Sequence, residues 1–188
     1  HSGFLLRGKT IEKQIDGDKI LFGRDKEGKV FALKNQCPHR GIPLTYGEFD
    51  GNEIECCYHG WRFKTNGTCS KIPALPPDTK LDVSKVRAPH YSTREMHGIV
   101  LIYMPRDMRK ADDFDESLFP HFPIPEGGKF DFVTAGFMDC SLDHSVIGLI
   151  DPAHVPFVHQ SWFFRKKNNL KLKTKKFAPS HLGFTMVR

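Results

Sequence analysis

Cys37-Pro38-His39-Arg40-Gly41 and Cys56-Cys57-Tyr58-His59-Gly60-Trp61-Arg62-Phe63 are the stretches on which the reading of this chain turns. Sixteen residues separate His39 from Cys56, so a Cys-x-His pair is followed by a Cys-x-x-His pair. Each pair runs into a glycine, Gly41 or Gly60, the residue that lets a backbone turn tightly and approach a bound group closely. Outward from these pairs the sequence breaks into short apolar or alternating runs: Lys19-Ile20-Leu21-Phe22-Gly23-Arg24, Val30-Phe31-Ala32-Leu33 and Glu53-Ile54-Glu55-Cys56. Turn signals separate them at Asp16-Gly17-Asp18, Glu27-Gly28-Lys29, Asp50-Gly51-Asn52 and Asn66-Gly67. A loop with Pro73, Pro76 and Pro77 follows, then two more strand-like runs at 86–91 and 98–103. Such frequent turns predict a small β-sandwich or barrel with the two Cys/His pairs at loop tips.

The donor set is chemically specific. Two thiolates and two imidazoles in alternating pairs suit a [2Fe-2S] cluster in which sulfur holds one iron and nitrogen the other. Each loop then gives one ligand to each iron, and nearby backbone N–H groups can donate to sulfur and tune the potential. Two cysteines and two histidines are also a zinc set, but structural zinc motifs tend to keep like ligands together.

In these loops the chain resembles the Rieske non-haem iron oxygenases, the α subunits of aromatic ring-hydroxylating systems. Asn66-Gly67 and Ile72-Pro73 continue the resemblance. It implies that Cys37, His39, Cys56 and His59 hold a Rieske cluster. Cys57 stands where proline is usual and is expected to be a core thiol outside the ligand set. Respiratory Rieske proteins add a disulfide between the loops; the corresponding positions here are Ile42 and Tyr58, and Trp61 replaces their cluster-donating serine. Fewer donors imply a low reduction potential.

A second constellation follows at Asp151-Pro152-Ala153-His154-Val155-Pro156-Phe157-Val158-His159. Two imidazoles and a carboxylate are the ingredients of the facial triad of non-haem Fe(II) oxygenases, although two histidines near an aspartate also suit a structural role. The resemblance implies that His154 and His159 ligate a mononuclear Fe(II). It makes Asp151 the bridging carboxylate between an iron-ligating histidine and a cluster histidine, here His59, of a neighbouring subunit in a homotrimer. The third iron ligand in that family is a downstream carboxylate, and no Asp or Glu follows His159 in this chain. The chain is therefore expected to be C-terminally incomplete. Gly148 stands where many relatives carry asparagine.

The fold class implied is α+β: an all-β Rieske domain over 1–108, a linker over 109–128, and the start of a helix-grip-like catalytic domain over 129–188. In the last part residues 130–138 and those from 171 onward read as strands, and Ser141 caps a short helix running to Ile150. The implied activity is O2-dependent hydroxylation, dihydroxylation or demethylation of an apolar, aromatic substrate. A ferredoxin or flavin reductase would supply the electrons. The alternative is a Rieske ferredoxin-like carrier without a catalytic iron.

Composition narrows the partners. The formal charge is +6, but seven basic residues lie in 165–176 and the remainder has 21 basic against 22 acidic residues. That stretch reads as a solvated strand face, so no nucleic-acid partner is expected. No apolar run approaches a membrane span. Five cysteines without a leader pattern predict reduced thiols, used as ligands or buried residues, and a cytoplasmic location.

Overall fold

The computed structural model describes residues 1–108, 111, 114–120, 136, 138–151, 154, 158, 176–180 and 183–187. The chain falls into two compact units, His1–Val133 and Thr134–Arg188.

The first unit is built from antiparallel strands. Strands β1 (Lys9–Ile15), β2 (Asp18–Arg24), β3 (Val30–Lys34) and β8 (His90–Tyr91) form one sheet in the order β1-β2-β3-β8. Strands β4 (Glu48–Phe49), β5 (Glu53–Glu55), β6 (Arg62–Lys64) and β7 (Cys69–Lys71) form a second, in the order β4-β5-β6-β7. Strands β9 (Thr93–Met96) and β10 (Ile99–Ile102) make a separate hairpin. The β1–β2 register pairs Ile15 with Asp18, so Asp16-Gly17 is a two-residue turn. Both turn residues have positive φ, 48° and 83°, the conformation that a right-twisting hairpin selects.

The predicted strands at 19–24, 30–33 and 53–56 are present as β2, β3 and β5. Strands β2 and β3 read as nearly continuous apolar runs because both faces of the first sheet are covered. With a side-chain period of two, Leu21, Phe31 and Leu33 enter one core, while Ile20, Phe22, Val30 and Ala32 enter the other. The first core also holds Cys37, Leu44, Ile54, Cys56, Phe63 and Cys69, so the sulfur of both Cys/His pairs sits in the main hydrophobic cluster. Phe63 is fully buried there, and truncating a buried aromatic of this kind costs about 3–5 kcal/mol.

The run expected at 86–91 forms a ladder only at His90–Tyr91; before it lies one isolated bridge, Thr68 to Arg87. Strand β1 carried no sequence signal because it is an edge strand, polar and largely exposed along Lys9-Thr10-Ile11-Glu12-Lys13-Gln14-Ile15.

In the second unit, helix α1 (Leu142–Ile150) begins at the expected cap: the Ser141 side chain accepts from the His144 N–H. It stops at Asp151, whose N–H donates to the Ile147 carbonyl at 3.1 Å, and the proline after it cannot extend the helix. Strands β11 (Lys176–Ser180) and β12 (Gly183–Val187) pair antiparallel. Most of the strand read at 130–138, and 171–175 of the last one, lie outside the described residues. Among the described residues, no helix is long and apolar enough to cross a membrane.

Candidate metal centre

Two loops, one leaving β3 and one leaving β5, fold into the same hydrogen-bonded ring. In the first, the Cys37 N–H donates to the Ile42 carbonyl at 2.8 Å and the Gly41 N–H donates to the Cys37 carbonyl at 2.8 Å. In the second, the Cys56 N–H donates to the Trp61 carbonyl at 2.9 Å and the Gly60 N–H to the Cys56 carbonyl at 2.9 Å. Gly41 and Gly60 have φ of 75° and 67°, the left-handed region that closes both rings and that side chains with a Cβ disfavour.

This repeat aligns the two loops residue by residue. Cys56 takes the place of Cys37, and Cys57 takes the place of Pro38. Cys37 and Cys56 are 2% and 3% exposed, whereas Cys57 is exposed. The expectation of a core thiol at Cys57 is therefore wrong, because its ring position turns the side chain outward. Cys140 is also exposed; of the non-pair cysteines only Cys69 is a buried thiol.

The Cys37 thiol feels both the neighbouring Cys56 thiol and the backbone N–H groups of His39 and Arg40. Burial pushes the Cys37 thiol up, the dominant influence, while those N–H groups pull it down. The rings of His39 and His59 are 4.6 Å apart. His39 Nδ1 is buried and has no hydrogen-bond partner among the described residues. Desolvation holds the His39 pKa below its usual range, aided by His59 and Arg40, which favours the neutral ring with a free lone pair. His59 is exposed. Two buried sulfurs beside a buried, unpartnered imidazole nitrogen fit a group that supplies its own bonding to all of them.

Three supporting features were not readable from the sequence. The Trp61 indole stacks on His39 with centroids 4.5 Å apart and planes 2° apart. Asn35, 4% exposed, closes the neck of the first loop. Its Oδ1 accepts the Thr45 N–H at 2.9 Å, its Nδ2 donates to Thr45 Oγ1 at 2.9 Å, and Nδ2 also donates to the Glu12 carboxylate. At the neck of the second loop, Arg62 Nε donates to Glu55 Oε2 at 2.6 Å across the β5–β6 ladder.

The second constellation is partly described. Asp151 Oδ2 lies 3.6 Å from His154 Nδ1 just past the end of α1, and both side chains are partly exposed. His159 lies outside the described residues. His144 Nδ1 is engaged with the capping Ser141 Oγ at 2.7 Å.

Comparison with known proteins bears on these groups. The Rieske [2Fe-2S] domain family matches residues 1–92. The chain is 34% identical over 153 residues to the chloroplastic protein TIC 55 of Arabidopsis thaliana, covering 79% of this chain and 27% of that protein. It is 33% identical over 145 residues to the oxygenase subunit of a tert-butanol monooxygenase/tert-amyl alcohol desaturase of Aquincola tertiaricarbonis, covering 77% of this chain and 29% of that protein. The fold is also that of dicamba monooxygenase: a TM-score of 0.54 at 24% identity, covering 64% of this chain and 35% of the solved one. The chain thus spans under a third of the length of these two curated relatives.

Proposed function

Residues 1–92 of this chain belong to the Rieske [2Fe-2S] domain family and the chain is homologous to Rieske-type oxygenase subunits, and from that premise we propose that it is the electron-receiving part of such an oxygenase. In this reading Cys37, His39, Cys56 and His59 hold the cluster. The observation that carries it is the buried, unpartnered His39 Nδ1 beside the buried thiols of Cys37 and Cys56.

His154 and His159 would hold a mononuclear Fe(II), with the third, carboxylate ligand supplied by sequence beyond these 188 residues. When bound, the cluster stores one electron and the iron supplies the site for dioxygen chemistry. The side chains of this chain set position. His59 is exposed and can present its ring edge to a partner surface. Asp151, whose Oδ2 lies 3.6 Å from His154 Nδ1, would orient that imidazole as its carboxylate partner. Across a homotrimer, Asp151 of one subunit would meet His59 of the next. The domain division proposed with it runs 1–108, 109–128 and 129–188. A ferredoxin or flavin reductase would deliver electrons, and the substrate would be small and apolar, an aromatic compound by the resemblance. A cytoplasmic location belongs to the same proposal.

Metal analysis of the full-length protein tests the reading. Three irons per chain are expected, falling to two in His154→Ala. A full-length protein that holds two irons, unchanged by that substitution, would instead be an electron carrier.

A further inference from the structure

The two histidines of the site are held very differently. The His39 ring lies flat on the Trp61 indole, planes 2° apart and centroids 4.5 Å apart. Trp61 is itself fixed: its carbonyl accepts the Cys56 N–H at 2.9 Å, and its side chain packs on the core that contains Phe63. The core therefore backs the indole, and the indole backs the imidazole. Among the described residues His59 has no comparable platform. Its ring neighbours are His39, at 4.6 Å and tilted by 55°, and Tyr58, at 4.0 Å and tilted by 47°. Tyr58 is 59% exposed and offers no rigid backing.

An imidazole on a short side chain can turn about two bonds, and an unpartnered Nδ1 has no hydrogen bond to stop it. The stack is the contact that selects a ring plane for His39. We propose that Trp61 is a positioning residue that locks the plane of His39 and keeps Nδ1 aimed into the site. His59 is left as the adjustable ligand that faces outward. This rests on the cluster reading, and it adds an inequality between the two nitrogen ligands that spacing alone does not contain. The sequence places Trp61 five residues after Cys56, in the loop that carries His59. The lock is therefore a contact between loops, with each loop helping to fix the geometry of the other.

Pulsed EPR of the reduced full-length protein reads the two nitrogen couplings separately, and iron and sulfide analysis reads cluster content. Trp61→Phe keeps a flat ring and is expected to keep both couplings and full cluster content. Trp61→Leu is expected to keep the metal content but to spread or shift one of the two couplings, leaving the other unchanged. Two unchanged couplings in Trp61→Leu, or an equal change in both, would overturn the proposal. Where Trp61→Leu loses the cluster, wild-type couplings in Trp61→Phe support the ring lock, and cluster loss in both variants overturns it. A wild-type protein with no two-nitrogen signal would sink the cluster reading itself, which separates that failure from a failure of the lock.

Discussion

The two ligand loops share a backbone ring and differ in where it carries the histidine. Both close the same pair of hydrogen bonds around a buried cysteine, and both turn on a glycine with positive φ. Yet the histidine stands two residues after Cys37 in the first loop and three after Cys56 in the second. In the shared ring, Tyr58 occupies the place of His39, and His59 occupies the place of Arg40. One ring position thus sends its imidazole inward onto Trp61, and the next sends its imidazole to the surface. A one-residue offset on a common scaffold is enough to make a sheltered ligand and a presented one.

The sharpest break of this comparison lies at adjacent cysteines. Cys56→Ser removes the thiol that matches Cys37 and should abolish cluster binding, read as loss of iron and sulfide. Cys57→Ser, at the exposed Pro38-like position, should retain both. The reverse pattern would mean that the loops do not align as their hydrogen bonds indicate.

The necks of the loops should differ next. Asn35 is buried and braces the first loop with bonds to Thr45. Asn35→Ala leaves the half-buried Thr45 N–H without that acceptor; a fully buried unsatisfied donor costs about 1–3 kcal/mol, and this one should cost the lower part of that range. The Glu55–Arg62 pair at the second neck is about two-fifths exposed. Arg62→Ala should therefore cost less, and salt should weaken the pair. Denaturant unfolding at two salt concentrations compares them; an equal loss in both variants would remove the asymmetry.

The glycines should separate by a smaller margin. A left-handed conformation costs a residue with a Cβ about 1–2 kcal/mol. A Cβ at Gly41 would meet the Gln36 side-chain nitrogen at 3.2 Å, which can move aside, while one at Gly60 would meet Pro73 Cγ at 3.2 Å, which is held in a ring. Gly60→Ala should lower the melting temperature more than Gly41→Ala.

The smallest effect lies outside both loops. Arg24 donates to Glu95, tying β2 to β9, and that hydrogen bond holds the Glu95 carboxyl below its ordinary range. The folded carboxyl is easier to ionise than the unfolded one, so the stabilisation is complete above the ordinary carboxylate pKa. It is lost as pH falls through the lowered folded value. Glu95→Gln should flatten the acid side of the stability profile slightly. A steeper acid limb would contradict the assigned direction.

Much of this was legible in advance because the deciding features are local. Alternating Cys and His at short spacing identify a donor set, glycine-rich turns bound the β runs, and Ser141 before an apolar segment marks a helix start. What escaped depended on contacts between segments distant in the chain. Trp61 lies well along the sequence from His39, and no periodicity connects them. Asn35 looks like an ordinary loop residue until Thr45 and Glu12 fold against it. Cys57 looked buried because cysteines usually are, and only the ring shared with Pro38 turns it outward. The edge strand β1 lacked the apolar alternation that would have announced it.

The central claim is that the paired loops hold a two-iron, two-sulfide cluster rather than a single metal ion. Acid-labile sulfide is the most direct discriminator, because a zinc site has none. In the His154→Ala variant of the full-length protein, the account predicts iron and labile sulfide in equal amounts, about two of each per chain. About one zinc per chain with no sulfide would contradict it.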